Sequence, residues 1–237
     1  MPIRSARARV LERLALERLV THDYVDIAEG HLKHAASLAE PEKYLIEGMT
    51  IEAPPGVYHP HGDSTSRMFV RTLLALTMDA PQRALDIGCG SGVVALFLAK
   101  RFGADALATD ISLAALAATR SNAERNQILL RVHNSNLFDA VETRGFDLIV
   151  FNTPMVDSSP IGEWDGDALS DPGGALLGRF AGEVGEYLAP DGLALFSICA
   201  NSAYERLDGV ALKLWTVGVE MAGNGFWRAI VGARQRV

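Results

Sequence analysis

Asp86-Ile87-Gly88-Cys89-Gly90-Ser91-Gly92 follows the apolar pair Ala84-Leu85 and leads into the run Val93 to Phe102. Ala84 to Ile87 reads as a short strand and Val93 to Phe102 as a helix, so the glycines fall in a strand-to-helix turn. Glycine there lets the backbone approach a ligand closely, under amides that point from the helix N-terminus. The next short apolar run, Ala106 to Thr109, ends in Asp110, twenty residues after Gly90. An acid at that place binds both hydroxyls of a ribose. Gly90, Gly92 and Ala95 also satisfy the loose pattern G-x-G-x-x-A, so the loop alone leaves a nicotinamide cofactor and other adenosine ligands open.

Outward from this turn the pattern repeats. Leu113 to Asn126 reads as a helix, Leu129 to His133 and Phe146 to Phe151 as strands, 175–188 as a helix, and Leu193 to Ile198 as a further strand. Strands alternating with helices predict a doubly wound, mostly parallel α/β sheet of seven strands, Rossmann-like in architecture. Leu212 to Met221 and Phe226 to Ala233 flank Ala222-Gly223-Asn224-Gly225, a hairpin signal that makes the last strand antiparallel. Ahead of the sheet, residues 5–48 read as helical, with Thr21 capping a second helix through Leu38 and Pro41 opening a third. Ile51 to Asp63 reads as a loop and Ser64 to Met78 as an amphipathic helix. The expected organisation is a helical cap over residues 1–50 and one α/β domain over 51–237.

The chain has 237 residues, 49% of them hydrophobic and 22% charged, which is enough apolar surface for a packed core and excludes a disordered chain. No apolar run is long enough to span a membrane, and the first residues carry no signal-peptide pattern, so a cytoplasmic setting is expected. Cys89 and Cys199 fit no metal-ligand spacing, and no metal is expected. The net charge of −7 argues against a generic nucleic-acid binder. Residues 1–20 depart from this balance, with five arginines against two glutamates. A basic first helix is a means of contacting RNA, or simply a solvated face.

Asp86 narrows the cofactor. It ends the first strand where ligands bind, and a carboxylate there repels a pyrophosphate and suits a cation. S-adenosylmethionine (SAM) carries a sulfonium and an ammonium and no phosphate. The segment Asp86-Ile87-Gly88-Cys89-Gly90-Ser91-Gly92, with Asp110 closing the second strand, resembles the class I SAM-dependent methyltransferases over about residues 51–237. The resemblance implies that Asp86, Gly88, Gly90 and Gly92 hold the methionine part of SAM. It implies that Asp110 and Ile111 hold the ribose side, and that Asn136 and Leu137 contact adenine.

A second segment, Phe146-Asp147-Leu148-Ile149-Val150-Phe151-Asn152-Thr153-Pro154-Met155, is similar to the D-L-I-V-x-N-P-P-Y stretch of the HemK-type and small-domain methyltransferases. That similarity implies that Asn152, Thr153 and Pro154 form the catalytic motif, in which the Asn side chain and the following carbonyl accept hydrogen bonds from a planar NH2 group. Asn152 also borders the cofactor. Thr153 stands where the family has proline, and Met155 where it has an aromatic residue that packs on the substrate. The stretch from Gly56 to Thr65, with Tyr58, His61 and Thr65, resembles the segment that closes over the methionine end of SAM. Asp171-Pro172-Gly173-Gly174 resembles the family's glycine turn.

His59 and His61 are either pocket residues or ordinary loop residues. Trp164 is placed to stack on a substrate or to pack against the cap, and Asp157 to orient an acceptor. Glu163, Asp165, Asp167 and Asp171 form an acidic stretch that favours a cationic acceptor. The expectation is methyl transfer from SAM to a nitrogen of a small molecule or protein side chain. RNA base methylation, or SAM binding without turnover, stands as the alternative, and Asp86 disfavours a nicotinamide oxidoreductase.

Overall fold

The computed structural model describes residues 5–19, 39–157, 168–221 and 226–236. In chain order the elements are helix α1 (Ala6–Arg13), strands β1 (Glu42–Ile46) and β2 (Met49–Ala53), helix α2 (Thr65–Ala75), strand β3 (Arg83–Ile87), helix α3 (Val93–Phe102), strand β4 (Asp105–Asp110), helix α4 (Leu113–Arg125), strands β5 (Arg131–Asn134) and β6 (Phe146–Phe151), helix α5 (Ala175–Glu183), and strands β7 (Leu188–Cys199), β8 (Leu212–Met221) and β9 (Trp227–Gln235).

Seven strands form one sheet in the order β5-β4-β3-β6-β7-β9-β8. The first five are parallel, and β9 enters antiparallel to both β7 and β8. This is the doubly wound sheet with an antiparallel last strand that the sequence predicts. Both faces are covered. On one face Leu85, Ile87, Leu107, Ile149 and Phe196 pack with Val10 and Leu14 of the first helical segment and Leu177 and Phe180 of α5. On the other, Ala84, Leu148, Val150 and Leu195 pack with α2 and α3 through Phe69, Leu73 and Phe97. Side chains alternate across a strand, so Asp86 shares the face of Ala84 and points towards α3 at the carboxyl end of β3. There the connections diverge, to β4 on one side and towards β6 on the other, and open α/β sheets bind ligands at such a crevice.

Residues 41–48 correct the helical reading. Glu42–Ile46 and Met49–Ala53 form a two-stranded antiparallel hairpin. Its turn, Glu47-Gly48, has both residues at positive φ, 47° and 68°, as a two-residue hairpin turn requires. Lys100 closes it by donating to the Gly48 carbonyl at 2.8 Å. The free edge of β2 is satisfied by side chains of α4 and its C-cap. Asn126 both accepts from and donates to the Thr50 backbone, and Asn122 does the same for Glu52, all at 2.8–2.9 Å. These carboxamides replace a strand ladder. The expected division between residues 50 and 51 falls inside this docked strand. The proposed second helix, 21–38, lies outside the described residues, as does the turn 222–225.

The basic first helix also differs from its solvated or RNA-facing reading. Arg7 donates to the carbonyls of Ala200 at 2.8 Å and Ser202 at 3.2 Å, with its guanidinium 3.9 Å from the Tyr204 ring centre. Arg9 pairs with Asp208, and Arg13 donates to the Leu212 carbonyl. These three arginines fasten α1 to the segment that follows β7. Among the described residues, no helix is long and apolar enough to cross a membrane.

Candidate active site

The turn after β3 is built by glycine for two separate reasons. Gly92 caps α3 at φ 84°, and a Cβ there would meet the Thr119 hydroxyl at 2.9 Å. Gly88, at φ 65°, turns the chain beside the Phe151 ring. Gly92 carries no capping side chain, so α3 takes its cap from the strand: Asp86 Oδ2 accepts the Ala95 N–H at 2.9 Å. Asp86 is therefore both a helix cap and a cavity wall. It is 2% exposed, and burial pushes its carboxyl up to about 8, with the Ala95 N–H acting against this and Asp110 adding to it. Asp110 accepts from the Gly90 N–H and the Ser112 N–H, both at 2.9 Å. Burial raises its carboxyl as well, and these backbone bonds oppose the rise.

Both acids open into one cavity of about 330 Å³ at the carboxyl end of the sheet. Its wall includes Gly88, Cys89, Gly90 and Ser91 of the turn, Ile111 and Ser112 after β4, and Ser135, Asn136 and Leu137 after β5. Burial and the two carboxylates push the Cys89 thiol well above its ordinary value, which makes it a wall atom and a poor nucleophile. Leu137 holds φ 49°, rare for leucine, and the Ser135 hydroxyl fixes it by donating to the Leu137 carbonyl at 2.9 Å. Gly56, Val57 and Tyr58 also line it, as do Phe151, Asn152 and Pro154 at the end of the neighbouring strand β6, and Ala168, Ser170 and Leu176. Among the described residues no lysine or arginine lines the cavity. Two carboxylates without a cation fit an adenosine ligand that bears positive charge, and do not fit a pyrophosphate. Asp86 and the glycine turn would hold the amino acid and sulfonium end of SAM, Asp110 and Ile111 its ribose side, and Asn136 and Leu137 its adenine.

The structure brings most of the expected residues to this cavity and leaves others outside it. Thr153 is buried with its hydroxyl turned to the Ser197 carbonyl, so its side chain anchors the motif. Met155 is 5% exposed in the sheet core, and its carbonyl accepts from Ser202 at 2.6 Å. It packs in the core cluster and does not line the cavity. Thr65 is buried in the first turn of α2 and contacts Arg228, and Ser66 takes the cavity position instead. His61 lies against Asp63 at 3.0 Å and His59 against the Tyr44 hydroxyl at 3.0 Å, both away from the wall. Tyr58 is in the wall, and burial raises its phenol.

Asp157 accepts the Gly173 N–H at 2.7 Å and so pins the glycine turn. Asp171 accepts the Leu176 and Leu177 N–H groups at 2.8 and 2.9 Å, which makes it the cap of α5 and removes it from the acidic stretch. Trp164, Glu163, Asp165 and Asp167 lie outside the described residues. Ser66, Ser170 and Ser197 carried no sequence signal, because a lone serine has none until the fold brings its neighbours together.

Comparison with known proteins agrees with this geometry. The family described as "Methyltransferase small domain" matches residues 48–163. Ribosomal RNA small subunit methyltransferase C of Chromohalobacter salexigens is 36% identical over 115 residues, which are 48% of this chain and 34% of that protein. The Enterobacter protein of the same name is 30% identical over 161 residues, 65% of this chain and 46% of that one. The chain thus spans a third to about half the length of these curated relatives. Among solved structures, a T. thermophilus 16S rRNA N2 guanine methyltransferase in complex with AdoMet and guanosine superposes with a TM-score of 0.64 at 21% identity, covering 83% of this chain and 50% of that one. The ribosomal protein L11 methylase of Lactobacillus delbrueckii superposes at 0.54 with 23% identity, covering 77% and 84%. With Asp86, Asp110 and Asn152 lining one cavity, residues 48–163 of this chain resemble the class I SAM-dependent methyltransferases of the small-domain type.

Proposed function

We propose that this protein transfers a methyl group from SAM to a nitrogen of an RNA base, and that the base belongs to ribosomal RNA. The observation that carries methyl transfer is the Asn152 carboxamide, which lines the same cavity as Asp86 and Asp110. The ribosomal RNA methyltransferases among its relatives support the nucleic-acid acceptor over the small molecule or protein that charge alone favours. SAM, when bound, supplies a methyl group on a sulfonium, so that C–N bond formation and C–S bond cleavage are concerted.

The protein's part is positional. Asp86 and Asp110 fix the donor, Asn152 and the Thr153 carbonyl hold the acceptor nitrogen in line, and Tyr58 and Pro154 bound the base. In-line approach at a near-attack distance accounts for much of such a rate enhancement. The proton lost from nitrogen passes to water. An N-terminal cap that ends before the β1–β2 hairpin, steering the acceptor, and a catalytic domain that follows it are part of this reading. An rRNA acceptor puts the reaction in the cytoplasm.

The net charge and the internally engaged arginines of α1 favour a second reading, a protein or small-molecule acceptor. Incubation with methyl-labelled SAM and small ribosomal subunits, naked 16S rRNA or nuclease-treated extract separates the two. Nuclease-sensitive label supports RNA. Label confined to protein or to the small-molecule fraction overturns it. Asn152→Ala should cut turnover far more than SAM affinity.

A further inference from the structure

We propose that Ser197, on the neighbouring strand β7, is a positioning residue that sets which way the Asn152 carboxamide faces in the cavity. The proposal rests on the reading that Asn152 holds the acceptor nitrogen. Phe151 pairs with Phe196 across β6 and β7, so the next residues of the two strands, Asn152 and Ser197, come side by side. Ser197 is fully buried and absent from the cavity wall, so it reaches a ligand only through its neighbours.

Counting protons assigns the bonds. Ser197 Oγ accepts the Thr153 N–H at 3.0 Å. The Thr153 hydroxyl spends its single proton on the Ser197 carbonyl. The Ser197 hydroxyl proton then has two takers, Thr153 Oγ1 and Asn152 Oδ1, each at 3.2 Å. Donation to Asn152 Oδ1 occupies one lone pair of that oxygen and turns the carboxamide so that its NH2 and its second lone pair remain for a ligand. A buried hydroxyl with one proton and a fixed N–H donor is a rigid anchor, whereas water would let the amide rotate.

The same geometry explains why this chain departs from the family motif it resembles. The residue after the Asn is proline there and has no N–H. Thr153 supplies both an N–H and a hydroxyl, and Ser197 is the buried group that uses them. Removing Ser197 leaves the Thr153 N–H buried without its acceptor and frees the Asn152 amide.

The test uses Ser197→Ala and Ser197→Cys in the full chain. Three measurements are made: S-adenosylhomocysteine affinity by calorimetry, kcat and KM on small ribosomal subunits, and the side-chain amide NMR signals of Asn152, identified by their loss in Asn152→Ala. Positioning predicts S-adenosylhomocysteine affinity within about twofold of the parent, kcat lowered by about tenfold or more, and Asn152 signals that move and broaden, with partial recovery in Ser197→Cys. Unmoved Asn152 signals overturn the proposal. So does an equal loss of cofactor affinity and kcat, which marks a structural role alone. Should the parent protein leave ribosomal subunits unlabelled, the RNA reading fails, and the NMR signals still decide for or against Ser197. Should Ser197→Ala fail to fold, Ser197→Cys carries the same measurements.

Discussion

Replacing Asp86 with Asn should abolish a pH dependence that the buried carboxyl imposes on SAM binding. The acid is 2% exposed, has one backbone donor in Ala95, and faces the Asp110 carboxylate, and burial lifts it to about 8. In the free protein at pH 6 it therefore carries a proton. A cationic ligand requires the carboxylate, so binding must expel that proton. Each pH unit below the free-state value costs about 1.4 kcal/mol, or tenfold in affinity. From about 8 down to pH 6 the limit is thus roughly a hundredfold, about 2.7 kcal/mol, reached only if bound SAM drops Asp86 back below pH 6. The sign is fixed: SAM affinity rises with pH between about 5.5 and 7.5. Calorimetry in two buffers of different ionisation enthalpy should report release approaching one proton per SAM near pH 6.5. Without ligand, the same shift makes the folded state lose stability as pH climbs from the ordinary carboxylate range towards 8, because the unfolded chain ionises first. SAM should reverse part of that loss. A dissociation constant that stays flat over this range in the parent protein, or net proton uptake, would refute the reasoning.

Asp110→Ala should weaken both SAM and S-adenosylhomocysteine by about 1.5–3 kcal/mol, the size of lost charge-assisted hydrogen bonds, while NAD gives no heat with either protein. Arg7→Ala should lower thermal stability by about 1–2 kcal/mol, since it removes the bonds to Ala200 and Ser202 and the stacking on Tyr204, and it should leave SAM affinity unchanged. A change in the salt dependence of RNA binding on the same substitution would return α1 to the acceptor surface. Gly92→Ala should destabilise the fold by about 1–3 kcal/mol and weaken SAM, because its Cβ enters at φ 84° within 2.9 Å of Thr119. Denaturant unfolding matching the parent would mean that the Gly92 turn relaxes freely.

The glycine turn, the alternation of strand and helix, and the acid at Asp110 were legible because each depends on neighbours a few residues away. Period and backbone conformation are local properties, so the sheet, its antiparallel end and the cofactor cradle follow from them. The hairpin of β1 and β2 was not legible. Its five-residue strands put apolar side chains at 44–46, 49 and 51, spacings that also suit a helix, and its outer edge is satisfied by Asn122 and Asn126 from a helix more than sixty residues later. Charge misled for the same reason. The arginines of α1 read as a solvated or RNA-binding face until the fold turns Arg7 and Arg13 onto carbonyls and Arg9 onto Asp208.

At the acceptor side, the resemblance to the methyltransferase motif made Thr153, through its carbonyl, and Met155 candidates to touch the substrate. The structure buries both side chains and leaves Asn152 and Pro154 in the wall, because the partners of Thr153 and Met155, Ser197 and Ser202, arrive from a strand and a turn more than forty residues away. What a sequence determines by itself is the backbone path its local pattern prefers. Which polar group is consumed by a distant neighbour, and which is left facing the cavity, is decided only when the strands pair.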